Sequence, residues 1–104
     1  GIDGNNAFIN ASGGSTGILQ LRTYGTTRAT LDANGNLGLG VTPSAWGVSG
    51  IIAKALQVNN VSLASTDTNG MQLSSNAFWN GSSWIYIASS VSATNYFQGG
   101  GTHG

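Results

Sequence analysis

The chain has 104 residues with three basic and three acidic side chains, no cysteine and a formal net charge of zero. So little positive charge excludes a nucleic-acid-binding protein, which needs a basic patch to neutralise phosphates. The absence of cysteine excludes a disulfide framework and thiol chemistry, and no apolar run reaches the roughly 18 residues of a membrane span, so we expect no membrane insertion.

The composition predicts an all-β fold with no significant helix. There are 17 glycines, and glycine, serine, threonine and asparagine are poor helix formers. Apolar residues come in short bursts, which favours short strands joined by tight turns over disorder. Few large side chains are available to form a core, so we expect the chain to bury surface against other copies of itself.

The first half of the chain contains four strand candidates separated by turn signals. In chain order they cover residues 7–12, 17–23, 24–32 (a turn and then a threonine-rich strand) and 37–41. Asn34-Gly35 is a strong signal for a two-residue hairpin turn, because both residues accept a positive φ. Pro43 ends the fourth strand. We therefore predict a β-rich segment over residues 1–46.

Residues 47–54 predict an irregular connector, since Gly47 and Gly50 disfavour a helix. A second β-rich segment follows over residues 55–104. Its strand candidates are residues 55–58, 61–65, 71–75 and 95–98. The spacing of apolar residues changes parity at Asn59-Asn60, which predicts a turn or a bulge. No terminating pattern follows residue 98, and we expect this segment to be truncated at its C-terminus.

Residues 76–88, NAFWNGSSWIYIA, give the clearest hairpin signal in the chain. A four-residue loop separates Trp79 from Trp84, and pairing of the two fixes the register. The implied pairs are Trp79 with Trp84, Phe78 with Ile85, and Ala77 with Tyr86. Strand alternation then places Tyr86 on the same face as both tryptophans, where aromatic pairs stabilise a hairpin by roughly 0.2–1 kcal/mol each.

The run from Arg28 to Trp46 resembles a segment that recurs in the tail fibres and tailspikes of tailed bacteriophages. The matching positions are Arg28, Leu31, Asp32, Gly35, Asn36, Leu37, Gly38, Leu39, Gly40, Thr42 and Pro43. Residues 55–58, 76–89 and 95–104 resemble the stretch that follows this segment in such fibres. The resemblance implies an intertwined homotrimeric fibre of the virion tail, triple β-helix or β-prism-like, whose partners are its own copies and the rest of the fibre.

In that family the segment often precedes an intramolecular chaperone domain that assembles the trimer and cleaves itself off. Residues 1–104 contain no counterpart of that domain, so no proteolytic residue is transferred from the resemblance.

The stretch from Leu37 to Val41 alternates large side chains with Gly38 and Gly40. Glycine weakens a strand and is typical of places where another backbone approaches closely. In an intertwined trimer we expect Gly38 and Gly40 to face another chain, with Leu37, Leu39 and Val41 on the opposite, packed side. The alternative is a strand of a monomeric β-sandwich in which the glycines mark bends.

No residue set predicts catalysis, a cofactor or a metal site. The three aspartates are dispersed, whereas a glycosidase needs two carboxylates flanking the scissile bond. Asp32 and Asp67 lie beside turns, where aspartate commonly caps backbone amides. His103, the only histidine, would be gathered near a trimer axis, but a metal site normally has more ligands. We predict that the protein is not an enzyme.

Aromatic side chains are the best candidates for binding. Trp79, Trp84 and Tyr86 on one face could stack on the sugar rings of a host cell-surface glycan. A chain this poor in large side chains cannot easily leave tryptophan exposed, which favours packing instead. We expect Trp46 to plug an interface between chains.

The sequence as a whole predicts a non-catalytic structural segment of a tail fibre or related receptor-binding protein that takes part in host attachment. The alternative is a carbohydrate-binding module with the aromatic face as its site. A β-solenoid adhesin is a weaker alternative, because no fixed repeat period is present.

Overall fold

A seven-stranded β-sheet organises most of the chain. The computed structural model describes residues 2–47, 52–66 and 69–99. The strands are β1 (Ile2–Asp3), β2 (Asn6–Ala7), β3 (Leu19–Thr23), β4 (Thr26–Leu31), β5 (Leu37–Leu39), β6 (Ile52–Val58), β7 (Val61–Thr66), β8 (Met71–Ser75), β9 (Ala77–Trp79), β10 (Trp84–Tyr86) and β11 (Thr94–Gln98). The only helical element among the described residues is the short 3-10 turn Gly14–Thr16. The all-β prediction is confirmed, and none of these residues forms a helix long and apolar enough to cross a membrane.

The large sheet has the strand order β11-β8-β7-β6-β5-β4-β3. Neighbouring strands are antiparallel except β5 and β6, which pair in parallel with Leu37 opposite Leu56. Strand β6 begins at Ile52, inside the predicted connector, and pairs with β7 from that residue. The predicted segments on either side of the connector therefore contribute to one sheet.

Two-residue turns set the register at two places. Tyr24-Gly25 joins β3 to β4, and Asn59-Asn60 joins β6 to β7. Tyr24, Gly25 and Asn59 have φ angles of 50°, 72° and 50°, as turns that follow the twist of paired strands require. The change of parity at Asn59-Asn60 is thus a turn.

The loop at Asn34-Gly35 is longer than the predicted two-residue turn. Leu31 pairs with Leu37, which leaves residues 32–36 as the loop. The Asp32 carboxylate accepts hydrogen bonds from the backbone N–H groups of Asn34 (3.0 Å) and Asn36 (2.9 Å). The prediction of a two-residue turn was therefore wrong. Asp32 caps backbone amides, as expected, and these hydrogen bonds stabilise a loop of five residues.

Strands β9 and β10 form a separate two-stranded sheet with the predicted register of all three pairs. The side chain of Asn76, just before β9, anchors the segment that follows the hairpin. Its Nδ2 donates to the carbonyls of Ala88 (2.9 Å) and Val91 (2.7 Å), and its Oδ1 accepts from the Ala88 N–H (2.7 Å). At the N-terminal end, the predicted strand over residues 7–12 is reduced to Asn6–Ala7.

The aromatic cover, defined as residues 41–47 together with residues 76–88, lies against one face of the large sheet. Trp46 and the aromatic rings of the β9–β10 hairpin pack against Ile52, Ala55 and Ala64 of β6 and β7. Most of the other buried residues on this face are small or polar. They include Thr30, Gln57, Ser62, Thr66, Gln72 and Ser74. The core thus lies between the aromatic cover and a face of mostly short side chains.

Candidate interaction surface

Gly38 is buried on the covered face of the sheet. A Cβ atom at Gly38 would collide with the carbonyl oxygen of Val41 and lie 3.0 Å from Cδ of Pro43. A backbone does approach this glycine closely, as the alternating pattern predicts, but that backbone belongs to the same chain. This corrects the expectation that Gly38 faces another chain, because the crossing of residues 41–43 already fills the space.

Gly40 turns the chain out of β5 and over the sheet. Its φ angle is 73°, a value that glycine adopts without steric cost. A Cβ atom here would lie 2.8 Å from Oδ1 of Asn59 in the same chain. Because the turn ends the strand at Leu39, Val41 lies over Gly38 and does not share the opposite face with Leu37 and Leu39.

Trp46 is 2% exposed within the single chain. Its indole Nε1 donates a hydrogen bond to Oε1 of Gln57 (3.1 Å). The rings of Phe78 and Trp84 pack edge-on against it, with centroids 6.0 and 6.3 Å away. The expectation that Trp46 plugs an interface between chains is therefore wrong, since neighbours in its own chain cover it.

The aromatic side chains of the β9–β10 hairpin differ in their exposure to solvent. Trp79 and Trp84 are half-buried and contact each other with centroids 5.6 Å apart. Tyr86 is 56% exposed. Trp84 and Tyr86 line a cavity of about 190 Å³ together with Ala77, Ile85, Ala93 and Asn95. The structure thus brings two of the three predicted glycan-binding residues to one cavity, and it assigns both tryptophans to the aromatic cover.

We expect Trp84→Ala to lower the free energy of unfolding by about 2–3 kcal/mol, because it removes a half-buried ring that packs against Trp46 and Trp79. Thermal unfolding followed by circular dichroism measures the change. Tyr86→Ala is the matched control on the same hairpin face, with an expected loss within about 0.5 kcal/mol for an exposed side chain. Unchanged stability of the Trp84 variant combined with lost glycan binding would favour the carbohydrate-binding alternative.

The opposite face of the seven-stranded sheet, here called the leucine face, carries large apolar side chains, most of which remain exposed in the described chain. One row runs straight across all seven strands through consecutive register pairs. Its members are Leu19, Leu31, Leu37, Leu56, Leu63, Leu73 and Tyr96. A second row of Leu21, Ala29, Leu39, Val58 and Val61 lies beside it. Leu37 and Leu39, expected to pack, belong to this face.

Nine of these side chains are between 38% and 58% exposed. They are Leu21, Leu31, Leu37, Leu39, Val58, Val61, Leu63, Leu73 and Tyr96. Together they expose on the order of 800 Å² of apolar surface, more than the roughly 300–600 Å² of the largest apolar patch on a typical monomer. Among the described residues, the leucine face is therefore the surface best suited to bind another protein.

The burial pattern is the reverse of that of a usual half-buried strand. Along β7, Ser62, Ala64 and Thr66 are buried, whereas Val61 and Leu63 are exposed. An antiparallel sheet that stands alone ordinarily places its apolar side chains on the core and its polar side chains in water. Sequence alternation correctly placed Leu37 and Leu39 on one face, but it did not reveal which face the chain itself covers.

The described residues contain no group of three or more histidine, aspartate or glutamate side chains placed to hold a metal ion. Asp32 is engaged in its loop. His103 and Asp67 lie outside the described residues. The chain has no significant match among protein-family models, curated proteins or solved structures. Function is therefore inferred from the residues and their geometry.

Proposed function

We propose that this chain is a non-catalytic structural segment of a bacteriophage tail fibre or a related receptor-binding protein, and that it works as a homotrimer. The leucine face is the observation that carries the proposal. Apolar surface on the order of 800 Å² per chain equals what each partner contributes to a standard-size pairwise interface, and in a trimer this surface is divided between two neighbours. Removing such a surface from water stabilises an assembly by the hydrophobic effect.

The resemblance to tail fibres supplies the kind of assembly. The residues that carry it, Arg28 to Trp46, correspond to one continuous unit of structure: strand β4, the loop capped by Asp32, strand β5 and the crossing segment with Pro43 and Trp46. Asp32 caps the loop through its carboxylate, and Gly38 and Gly40 occupy positions that a Cβ atom would crowd. The shared pattern is thus the pattern of a folded unit, which supports a common architecture.

The role is mechanical. In a fibre, the segment holds the receptor-contacting tip at a fixed distance from the virion and transmits attachment through contacts between chains. Only 6% of the residues are charged and the net charge is zero, so the outer surface is neutral and hydrated by serine, threonine and asparagine. Such a surface lacks the electrostatic attraction that causes nonspecific binding.

Light scattering on the purified chain, with and without mild denaturant, tests this proposal. We expect a stable mass of three times 10.5 kDa that falls to one chain only when the protein unfolds. A folded monomer at tens of micromolar would overturn the homotrimer and would shift attention to the cavity beside Tyr86, which should then be screened against soluble glycans.

A further inference from the structure

We propose that copies of this chain associate as completed sheets, with their leucine faces turned inward around a common axis, and not by exchanging strands. This inference rests on the proposed function and adds the contact surface and the mode of packing. It replaces the intertwined arrangement with three separately folded sheets whose apolar faces meet.

Completeness of the single-chain sheet is the first argument. Each of the seven strands pairs with at least one neighbour of the same chain, with β3 and β11 at the edges of the sheet, and the aromatic cover closes one face with residues of the same chain. Gly38, expected to mark a crossing of chains, marks a crossing of one chain over itself. The described core therefore needs no strand from a second copy.

Charge and area point to a second copy as the occupant of the leucine face. Lys54 is the charged residue on the outward side of β6, and its Nζ donates to the Asn34 carbonyl at 2.6 Å, at the margin of the face. A partner for this surface must be apolar, uncharged and about 800 Å² in extent. The leucine face of another copy meets all three requirements, and homo-oligomers are the commonest assemblies.

The shape of the leucine face fits side chains from another copy. A hollow of about 140 Å³ near β3 is lined by Leu19, Leu21, Ala29, Leu31 and Leu37. A second hollow, of about 340 Å³, lies between Val61, Leu73 and Tyr96 at the other end of the sheet. An apolar cavity of about 150 Å³ holds a molecule the size of benzene, so the smaller hollow is large enough for an aliphatic side chain. Interlocking of this kind gives interfaces the packing density of protein interiors.

The test places a charge at the centre of the leucine face. Leu63→Glu is expected to weaken association at least 100-fold, so that light scattering at 10 µM reports a single chain with an unchanged circular dichroism spectrum. Leu63 is 47% exposed in the single chain, so the carboxylate reaches water in a monomer. Val91→Glu is the matched control, because Val91 is 54% exposed but lies outside the sheet, and we expect this variant to keep the parental mass.

Cysteine cross-linking is an independent measurement. It shows whether the leucine faces of different copies meet even if Leu63→Glu does not fold. The chain has no cysteine, so Leu63→Cys and Ser83→Cys each introduce a single thiol. A short bismaleimide should link copies through position 63 and not through position 83 in the β9–β10 loop.

Each outcome has a distinct meaning. Dissociation by Leu63→Glu, retention by Val91→Glu and cross-linking at position 63 support the inference. A parental trimer that survives Leu63→Glu, or that cross-links only at position 83, overturns the inference and leaves the proposed function standing. A parental monomer overturns the homotrimer itself.

Discussion

Replacing Gly38 with alanine is expected to lower the free energy of unfolding by at least about 3 kcal/mol, at the upper end of the cost of overpacking a core. The added methyl would collide with the Val41 carbonyl oxygen and press on the Pro43 ring. Backbone cannot rotate away as a flexible side chain can, so residues 41–43 must lift from the sheet. Urea unfolding of the parent and the variant measures the difference.

Gly99→Ala is the control for this glycine substitution. A Cβ at Gly99 meets nothing closer than the Phe97 ring at 3.7 Å, an ordinary van der Waals contact, so we expect a change within about 0.5 kcal/mol. Repeating Gly38→Ala in the Leu63→Glu background separates the two explanations of the glycine. If Gly38→Ala also destabilises the monomeric Leu63→Glu variant, the clash is with residues 41–43 of the same chain. If it destabilises only the assembled parent, Gly38 faces another chain, as the sequence predicted.

Gln57→Leu is expected to lower the free energy of unfolding by about 2–4 kcal/mol, because it leaves the buried Trp46 indole N–H and the half-buried Ser44 N–H without an acceptor. The side chain of Gln57 is fully buried. Its Oε1 accepts from the backbone N–H of Ser44 (2.8 Å) and from the Trp46 indole (3.1 Å), and its Nε2 donates to the carbonyl of Asn59 (2.9 Å). Gln57 thus fastens the crossing segment to the middle of the sheet, and near-ultraviolet circular dichroism should report the loosened Trp46.

The matched control is Gln20→Leu. Gln20 pairs with Thr30 in β4 and faces the same side of the sheet as Gln57, but its Oε1 accepts only from the exposed Arg22 guanidinium (2.8 Å). We expect less than about 0.5 kcal/mol from this change. An equal loss of unfolding free energy in the two variants would contradict the conclusion that Gln57 holds Ser44 and Trp46 on the sheet.

Local features of this fold could be predicted from the sequence. The register of the β9–β10 hairpin follows from two tryptophans that flank a four-residue loop, because cross-strand pairing there depends on neighbours within the hairpin. The turn at Asn59-Asn60 follows from a change of parity in the apolar residues. Both signals lie within a few residues of the structure that they specify.

Features that depend on distant residues could not be predicted. The parallel pairing of β5 with β6 and the hydrogen bond between Trp46 and Gln57 join residues that are 11 to 19 positions apart in the chain, and no local pattern encodes such contacts. A two-residue turn was predicted at Asn34-Gly35. The wider loop was missed because the Asp32 carboxylate caps backbone amides on both sides of Gly35 and stabilises a five-residue loop. The buried face was missed because small polar side chains ordinarily face water.

The leucine face is exposed from the moment each chain folds. Until copies meet, the same surface can adhere to any other apolar surface, and transiently exposed hydrophobic surface drives aggregation at micromolar concentrations. Encounter of copies is concentration-dependent, so the yield of correct assembly rises when several chains are made close together. Co-translational crowding on a shared messenger would thus favour the proposed assembly over the aggregate.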